Sequence, residues 1–461
     1  MAILAAFMVP HPPLIIPEVG KGGENAVRET ISSYENVAEQ IAELKPETII
    51  ITSPHSTMYS DYFHISPGDR AEGSFAGFGA PQVSFDEEYD EELREVLCDI
   101  ADEGEFPAGI LGEREPELDH GTMVPLFFIR KKYKEGKIIR IGLSGIGLLE
   151  HYKLGEMIKE AVDKTGRRVV LVASGDLSHK LKEHGPYGFA KEGPEYDEKI
   201  MDVAKRAAFG EMFEFGEDFC YKAAECGHRS FVIMAGALDG MAVEAKVYSH
   251  QDVTGVGYGI ASFYPKGTDE TRRFRAAYME KLMAGLKEKV AKSDEYVRLA
   301  RKSLESYILS REVIAVPSDL PGEMLTQKAG AFVSIHKAGE LRGCIGTILP
   351  TTECVAKEII NNAISASTKD PRFMPISPDE LPLLDINVDV LGEPEEISSP
   401  DELDVKRYGV IVSCGARRGL LLPDLEGVDT VERQIEIARQ KGGIDEDEEV
   451  KLERFEVVRH V

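Results

Sequence analysis

A chain of 461 residues is longer than one hydrophobic core ordinarily serves, so two domains are expected, each large enough to bury a core of its own. Its 43% hydrophobic and 29% charged residues are ordinary for a globular protein, while a formal charge of −27 argues against nucleic acid and anionic membrane surfaces, both of which need a positive face. Six cysteines without a CxxC pair argue against a disulfide framework or a structural zinc site and point to a reducing, cytoplasmic setting; no stretch reaches membrane-spanning length, and the apolar start lacks the basic flank of a signal peptide.

In chain order, residues 2–9 read as a strand that runs into Pro10-His11-Pro12-Pro13. An amphipathic helix follows over about 25–44, where Val27, Ile31, Tyr34, Val37, Ala38, Ile41 and Leu44 recur at helical spacing. The strand 48–52 then leads to Ser53-Pro54-His55-Ser56, which completes a βαβ unit with a histidine after each strand. Residues 60–135 are less regular, with a helix near 87–103 and the segment Glu117-Leu118-Asp119-His120-Gly121, where Asp119 reads as a helix cap beside a surface histidine. A second β-α-β passage covers strand 138–143, helix 148–163 and the β-branched run 169–173, which breaks into Ser174-Gly175-Asp176-Leu177-Ser178-His179. Helices are expected at 196–209, in a stretch ending Glu225-Cys226-Gly227-His228, and at 229–238; a strand at 242–248 and the glycine-rich 255–259 precede the end of the domain near 266.

Residues 267–292 read as a charged helical linker. The domain expected at 293–461 opens with a helix, continues with a hairpin at 331–337 and 340–345 around Ala338-Gly339, and alternates helices (352–367, 430–441) with short strands (386–391, 410–413, 420–422, 450–457). The expected fold is therefore α/β in the N-terminal domain, with a mainly parallel central sheet flanked by helices, and α+β in the C-terminal domain.

In an open α/β sheet the carboxyl ends of the strands form one rim where ligand crevices open, and His11, His55 and His179 all stand just past such ends. Neutral imidazoles with a carboxylate suit a divalent first-row metal, so His11, His55 and Glu225 are the candidate ligands, with Cys226 an equally suitable soft donor in place of Glu225. His179 is a candidate general base, and Asp176 either orients it or caps the helix that follows. In the second domain Cys344 beside Arg342 is either an activated thiol or a small buried strand residue.

Pro-His11-Pro-Pro, Ser-Pro-His55-Ser, Leu-Asp-His120-Gly and Ser-Gly-Asp-Leu-Ser-His179, in that order, resemble the class III extradiol dioxygenase (LigB-like) family and its Memo relatives over residues 1–263. The resemblance implies a sheet flanked by helices, ferrous iron (Fe2+) held by His11, His55 and Glu225, His179 as acid/base and His120 contacting a substrate. The Memo version has a cysteine in place of the carboxylate, which here is Cys226 and leaves Zn2+ or another divalent metal as the alternative. Leu-Arg342-Gly-Cys344-Ile-Gly-Thr, Asp370-Pro-Arg372-Phe373 and Gly419-Leu-Leu-Leu-Pro423 resemble the AMMECR family over 293–461. The fused order is similar to the AmmeMemoRadiSam system proteins and implies association with a radical SAM partner. The reading expects a small-molecule, phenolic or cyclic, substrate, or else a metal-binding scaffold without catalysis; a homodimer is compatible with it.

Overall fold

The computed structural model describes residues 2–112, 117–425 and 427–461, which form two compact units, Met1–Tyr278 and Met279–Val461. The first is built on a six-stranded sheet in the spatial order Lys137–Gly142, Thr48–Ser53, Val169–Ser174, Ile3–Val9, Tyr258–Thr268, Met241–Gln251. Its first four strands run parallel and the last two are antiparallel. The parallel strands are β-branched or aliphatic runs buried on both faces, as strands covered on both sides must be. Successive side chains point to opposite faces, so Ile50 and Leu171 enter one core while Ile49, Ile51, Val170 and Val172 enter the other.

Helices Arg28–Leu44 and His120–Lys132 cover one face, and Leu148–Thr165, Glu192–Arg206 and His228–Ala237 the other. The amphipathic helix expected at 25–44 begins at Arg28, after a short 3-10 turn Gly23–Val27. Within the stretch expected to be irregular lies an antiparallel hairpin, Arg70–Phe75 with Ala80–Glu88, whose tip is the turn Ala76–Phe78. The expected domain end at 266 falls inside a strand that continues to Thr268, where it pairs with Met241.

The second unit carries an antiparallel sheet in the order Glu340–Gly346, Ala331–Lys337, Leu384–Leu391, Lys451–His460, Tyr408–Cys414, Arg417–Leu421, with Glu395–Ile397 paired to Lys451–His460. Helices Glu295–Ser310 and Val355–Thr368 pack on Val333, Ile335, Ile386 and Val388. The hairpin turn has positive φ at both Ala338 (54°) and Gly339 (89°), the backbone that a two-residue connection needs to match the strand twist. Among the described residues no helix is long and apolar enough to cross a membrane.

Candidate metal centre

Three neighbouring parallel strands deliver the site. Past Ile3–Val9, the Tyr34 hydroxyl donates to the Pro10 carbonyl and the His11 N–H donates to Asp176 Oδ1 at 2.8 Å, so the turn is held from two sides. His11 is 2% exposed. Its ring is also fixed in tautomer: Ser174 Oγ donates to the Gly121 carbonyl at 2.6 Å, so it must accept from His11 Nδ1–H at 2.9 Å. With the proton on Nδ1, the Nε2 lone pair is left free, the arrangement that a metal-binding imidazole requires.

Past Thr48–Ser53, Ser53 Oγ donates to Asp119 Oδ1 at 2.5 Å and accepts the His55 N–H at 3.2 Å. Asp119 also accepts the Thr122 N–H at 3.0 Å as cap of the helix His120–Lys132, so one carboxylate joins a strand end, the His55 turn and a helix start. His55 Nε2 lies 3.0 Å from His11 Nε2.

The third donor comes from the turn before helix His228–Ala237. A Cβ on Gly175 would stand 2.0 Å from the Cα of Gly227, so only two glycines allow these turns to touch. The N–H groups of Cys226 and Gly227 donate to the Asp176 carbonyl at 3.4 and 3.1 Å. Cys226 Sγ is thereby brought to 3.5 Å from His11 Nε2, and the donor atoms of His11, His55 and Cys226 all lie within 4.8 Å of one another. Glu225, the expected oxygen ligand, does not join them: its carboxylate accepts the His228 N–H at 2.6 Å at the start of that helix.

Burial, and then the neighbouring histidines, lower His11 well below the usual imidazole range; burial lowers His55 against the pull of Asp119. Both rings are thus neutral donors at pH 7. Burial, with Asp176 and Glu225, pushes the Cys226 thiol up, although the Asp176 N–H points at its sulfur from 3.3 Å. The Nε2 atoms of two neutral imidazoles and a thiol facing one point suit a divalent cation, whose charge would favour the thiolate that burial opposes.

His120 and His179 flank this group. The His120 ring centroid is 4.0 Å from that of His55 and 5.4 Å from that of His11. Burial, and then the charge of His55, hold both His120 and His179 down at about 4. Nε2 of His179 is buried and has no hydrogen-bond partner among the described residues, so no protein group competes for that nitrogen. Its backbone is bolted down, with His179 N–H donating to the Ala223 carbonyl at 3.2 Å. Asp176, raised to about 7 by burial, directs its carboxylate at the His11 backbone, and no bond to the His179 ring is seen.

In the second unit Arg342 grips Glu380 with Nε and Nη2, both at 2.9 Å, and donates from Nη1 to the Met374 carbonyl. The half-buried Cys344 faces Ser334 Oγ at 3.2 Å rather than Arg342. Asp370 accepts the Cys344 N–H at 2.9 Å and the Arg372 guanidinium at 2.7 and 3.0 Å, which clips the Asp370-Pro371-Arg372 turn onto the strand.

The sequence reading missed Ser174, Ser53, Gly175 and Gly227. Ser53 and Ser174 are the last residues of their strands, each directly before a site turn, and that repetition was the available signal.

A family model described as the catalytic LigB subunit of aromatic ring-opening dioxygenase matches residues 5–261, and the AMMECR1 model matches 297–460. A curated protein of Clostridium acetobutylicum is 41% identical over 100% of this chain and 99% of its own length. One of Thermotoga maritima is 53% identical over 36% of this chain and 96% of its own. The crystal structure of an uncharacterised Pyrococcus horikoshii protein covers 36% of this chain and 88% of its own, at 33% identity and a TM-score of 0.33. The chain belongs to the LigB family, with an AMMECR1 domain following the LigB domain.

Proposed function

We propose that this protein is a metal-dependent enzyme of the class III extradiol type, acting on a cyclic or phenolic small molecule by ring or carbon–carbon bond cleavage, with the AMMECR1 domain as accessory. The observation that carries it is the unpartnered, buried Nε2 of His179 beside the three converging donors of His11, His55 and Cys226, since a site that only stored metal would need no free base. Fe2+ is the metal proposed, with Zn2+ or another divalent ion as the alternative. Such an ion, when bound, supplies Lewis acidity toward a phenolic oxygen and, as iron, redox chemistry. His179 takes the proton from the bound hydroxyl, and the His120 ring, neutral at pH 7, contacts the substrate above His55.

A second reading is favoured by Cys226. A thiol in place of a carboxylate suits a Memo-like metal-binding scaffold that works through a partner, with a radical SAM protein as the candidate.

Metal analysis of protein purified without oxygen separates these ideas. His11→Ala and His55→Ala are expected to abolish stoichiometric metal binding with the fold intact, Cys226→Ser to weaken it, and Glu225→Gln to leave it in place. His179→Gln is expected to keep full occupancy and, once a substrate is found, to turn over roughly 100- to 10,000-fold more slowly. Metal loss in His179→Gln would make that residue a ligand, and unchanged metal in both histidine-to-alanine variants would remove the site. Nitrosyl spectra of the ferrous protein that catechol fails to perturb would favour the scaffold.

A further inference from the structure

Two large aromatic side chains stand exposed at the rim of the metal centre, one on each histidine not assigned to the metal. Phe78, 42% exposed, sets its ring 5.5 Å from that of His120 at an interplanar angle of 66°. Tyr187, 59% exposed, sets its ring 5.0 Å from that of His179, tilted by 30°. Each contacted histidine belongs to the site: the His120 ring lies 4.0 Å from that of His55, and His179 stands in the turn whose Asp176 accepts the His11 N–H at 2.8 Å. Phe78 and Tyr187 are 109 residues apart and lie on different supports, so the pairing is not a property of one loop.

Both supports are built. Phe78 ends the turn at the tip of the Arg70–Phe75 and Ala80–Glu88 hairpin, and its ring is backed by the buried Phe75 at 5.9 Å. Tyr187 rides on a loop whose Gly185 packs on Gly255, where a Cβ would meet the Gly255 Cα at 3.2 Å, and Gly188 follows with φ of 75°. An isolated exposed aromatic is ordinary on a protein surface. Two of them held over the two free histidines of one site leave π-faces and edges available to a flat ligand, the geometry in which rings attract beyond their buried area.

We propose that Phe78 and Tyr187 are the specificity-determining residues of this site, a two-sided aromatic clamp that selects a planar ring over a saturated one when its hydroxyls face His11, His55 and Cys226. The assignment rests on the reading of the site as one for phenolic small molecules. Among the described residues no ring contact joins either residue to His11 or His55, so the clamp works on ring affinity and leaves metal content alone.

The test titrates the full-length, zinc-loaded protein, which cannot turn over oxidatively, with catechol and with cis-1,2-cyclohexanediol by calorimetry. The wild type is expected to prefer catechol. Phe78→Leu and Tyr187→Leu are each expected to weaken catechol by about 2- to 10-fold, the range of one aromatic pair, with the cyclohexanediol affinity and the zinc content unchanged. Tyr187→Phe is expected to bind catechol as the wild type does; a loss equal to that of Tyr187→Leu would assign the effect to the hydroxyl and overturn the clamp. Catechol binding that is intact in both leucine variants overturns the clamp while leaving the phenolic reading standing. Zinc-replete wild-type protein that binds neither diol overturns both.

Discussion

The hydrogen of a single hydroxyl decides how His11 presents itself. Because Ser174 Oγ donates to the Gly121 carbonyl, it can only accept from His11, and Ser174→Ala removes the group that holds the proton on Nδ1. That variant is expected to fold, since Ala fits a buried strand end, and to bind metal about 10- to 100-fold more weakly, the usual effect of losing a partner of a ligating imidazole. Competition against a chromophoric chelator measures it, and an unchanged affinity would show that the ring is oriented by the backbone alone. The histidines themselves were legible in the sequence because each follows a short apolar run at a break in pattern. Ser174 was not, since its role depends on a carbonyl 53 residues away. The choice between Glu225 and Cys226 was likewise beyond sequence spacing, because adjacent residues in a turn point in different directions and only the Gly175–Gly227 contact settles which of them faces His11.

At the level of elements, parallel strands buried on both faces announce themselves as apolar runs, so Ile3–Val9, Thr48–Ser53 and Val169–Ser174 were readable. The hairpin Arg70–Phe75 with Ala80–Glu88 was not, because most of its side chains are half or fully exposed and its glycine and proline read as loop. Tyr258–Thr268 was hidden by its glycines, of which Gly259 packs under the side chains of Met201, Leu177 and Met8. In the second unit the hairpin strand Glu340–Gly346 is tied to the turn Pro378–Leu383 by Arg342 and Glu380. Burial alone would raise the Glu380 carboxyl, but the bonds from Arg342 and Ser377 and the charge of Lys337 outweigh it and lower it from 4.5 to about 2. A carboxyl depressed in the folded state contributes stability that is present above its unfolded value and lost as pH falls from about 4.5 toward 2. Arg342→Met is therefore expected to cost about 1–3 kcal/mol at pH 7, the effect of losing hydrogen bonds to a charged group that keeps Lys337 at 3.3 Å, and to shrink that acid-dependent loss. Hydrogen exchange across 331–346 at pH 7 and pH 3 checks both, and an equal pH dependence in the variant would contradict the assignment.

For the whole molecule, the first unit needs more chain than the sequence boundary at 266 allows. Thr268 pairs with Met241, Arg272 Nη2 donates to the Ala207 carbonyl at 2.7 Å, and the Phe274 N–H donates to Asp239 at 3.0 Å while its ring packs against the first core. A fragment of residues 1–278 is expected to melt above one of 1–266 by about 4–8 °C, since burying one phenylalanine contributes about 2 kcal/mol in a unit of this size. Equal melting temperatures would mean that the added residues only decorate the surface. The contact of Gly175 with Gly227 has a further consequence, one of descent rather than energy. It pins the helix side of the turn that offers the third donor, while a carboxylate and a thiol stand next to each other in that turn at 225 and 226. Losing Cys226 itself, which stands directly before the pinned Gly227, would bring Glu225 into its position and exchange a soft donor for a hard one, with both histidines and the sheet untouched. A lineage carrying this fold can thus change the donor set of the site through a single small deletion that leaves the scaffold in place.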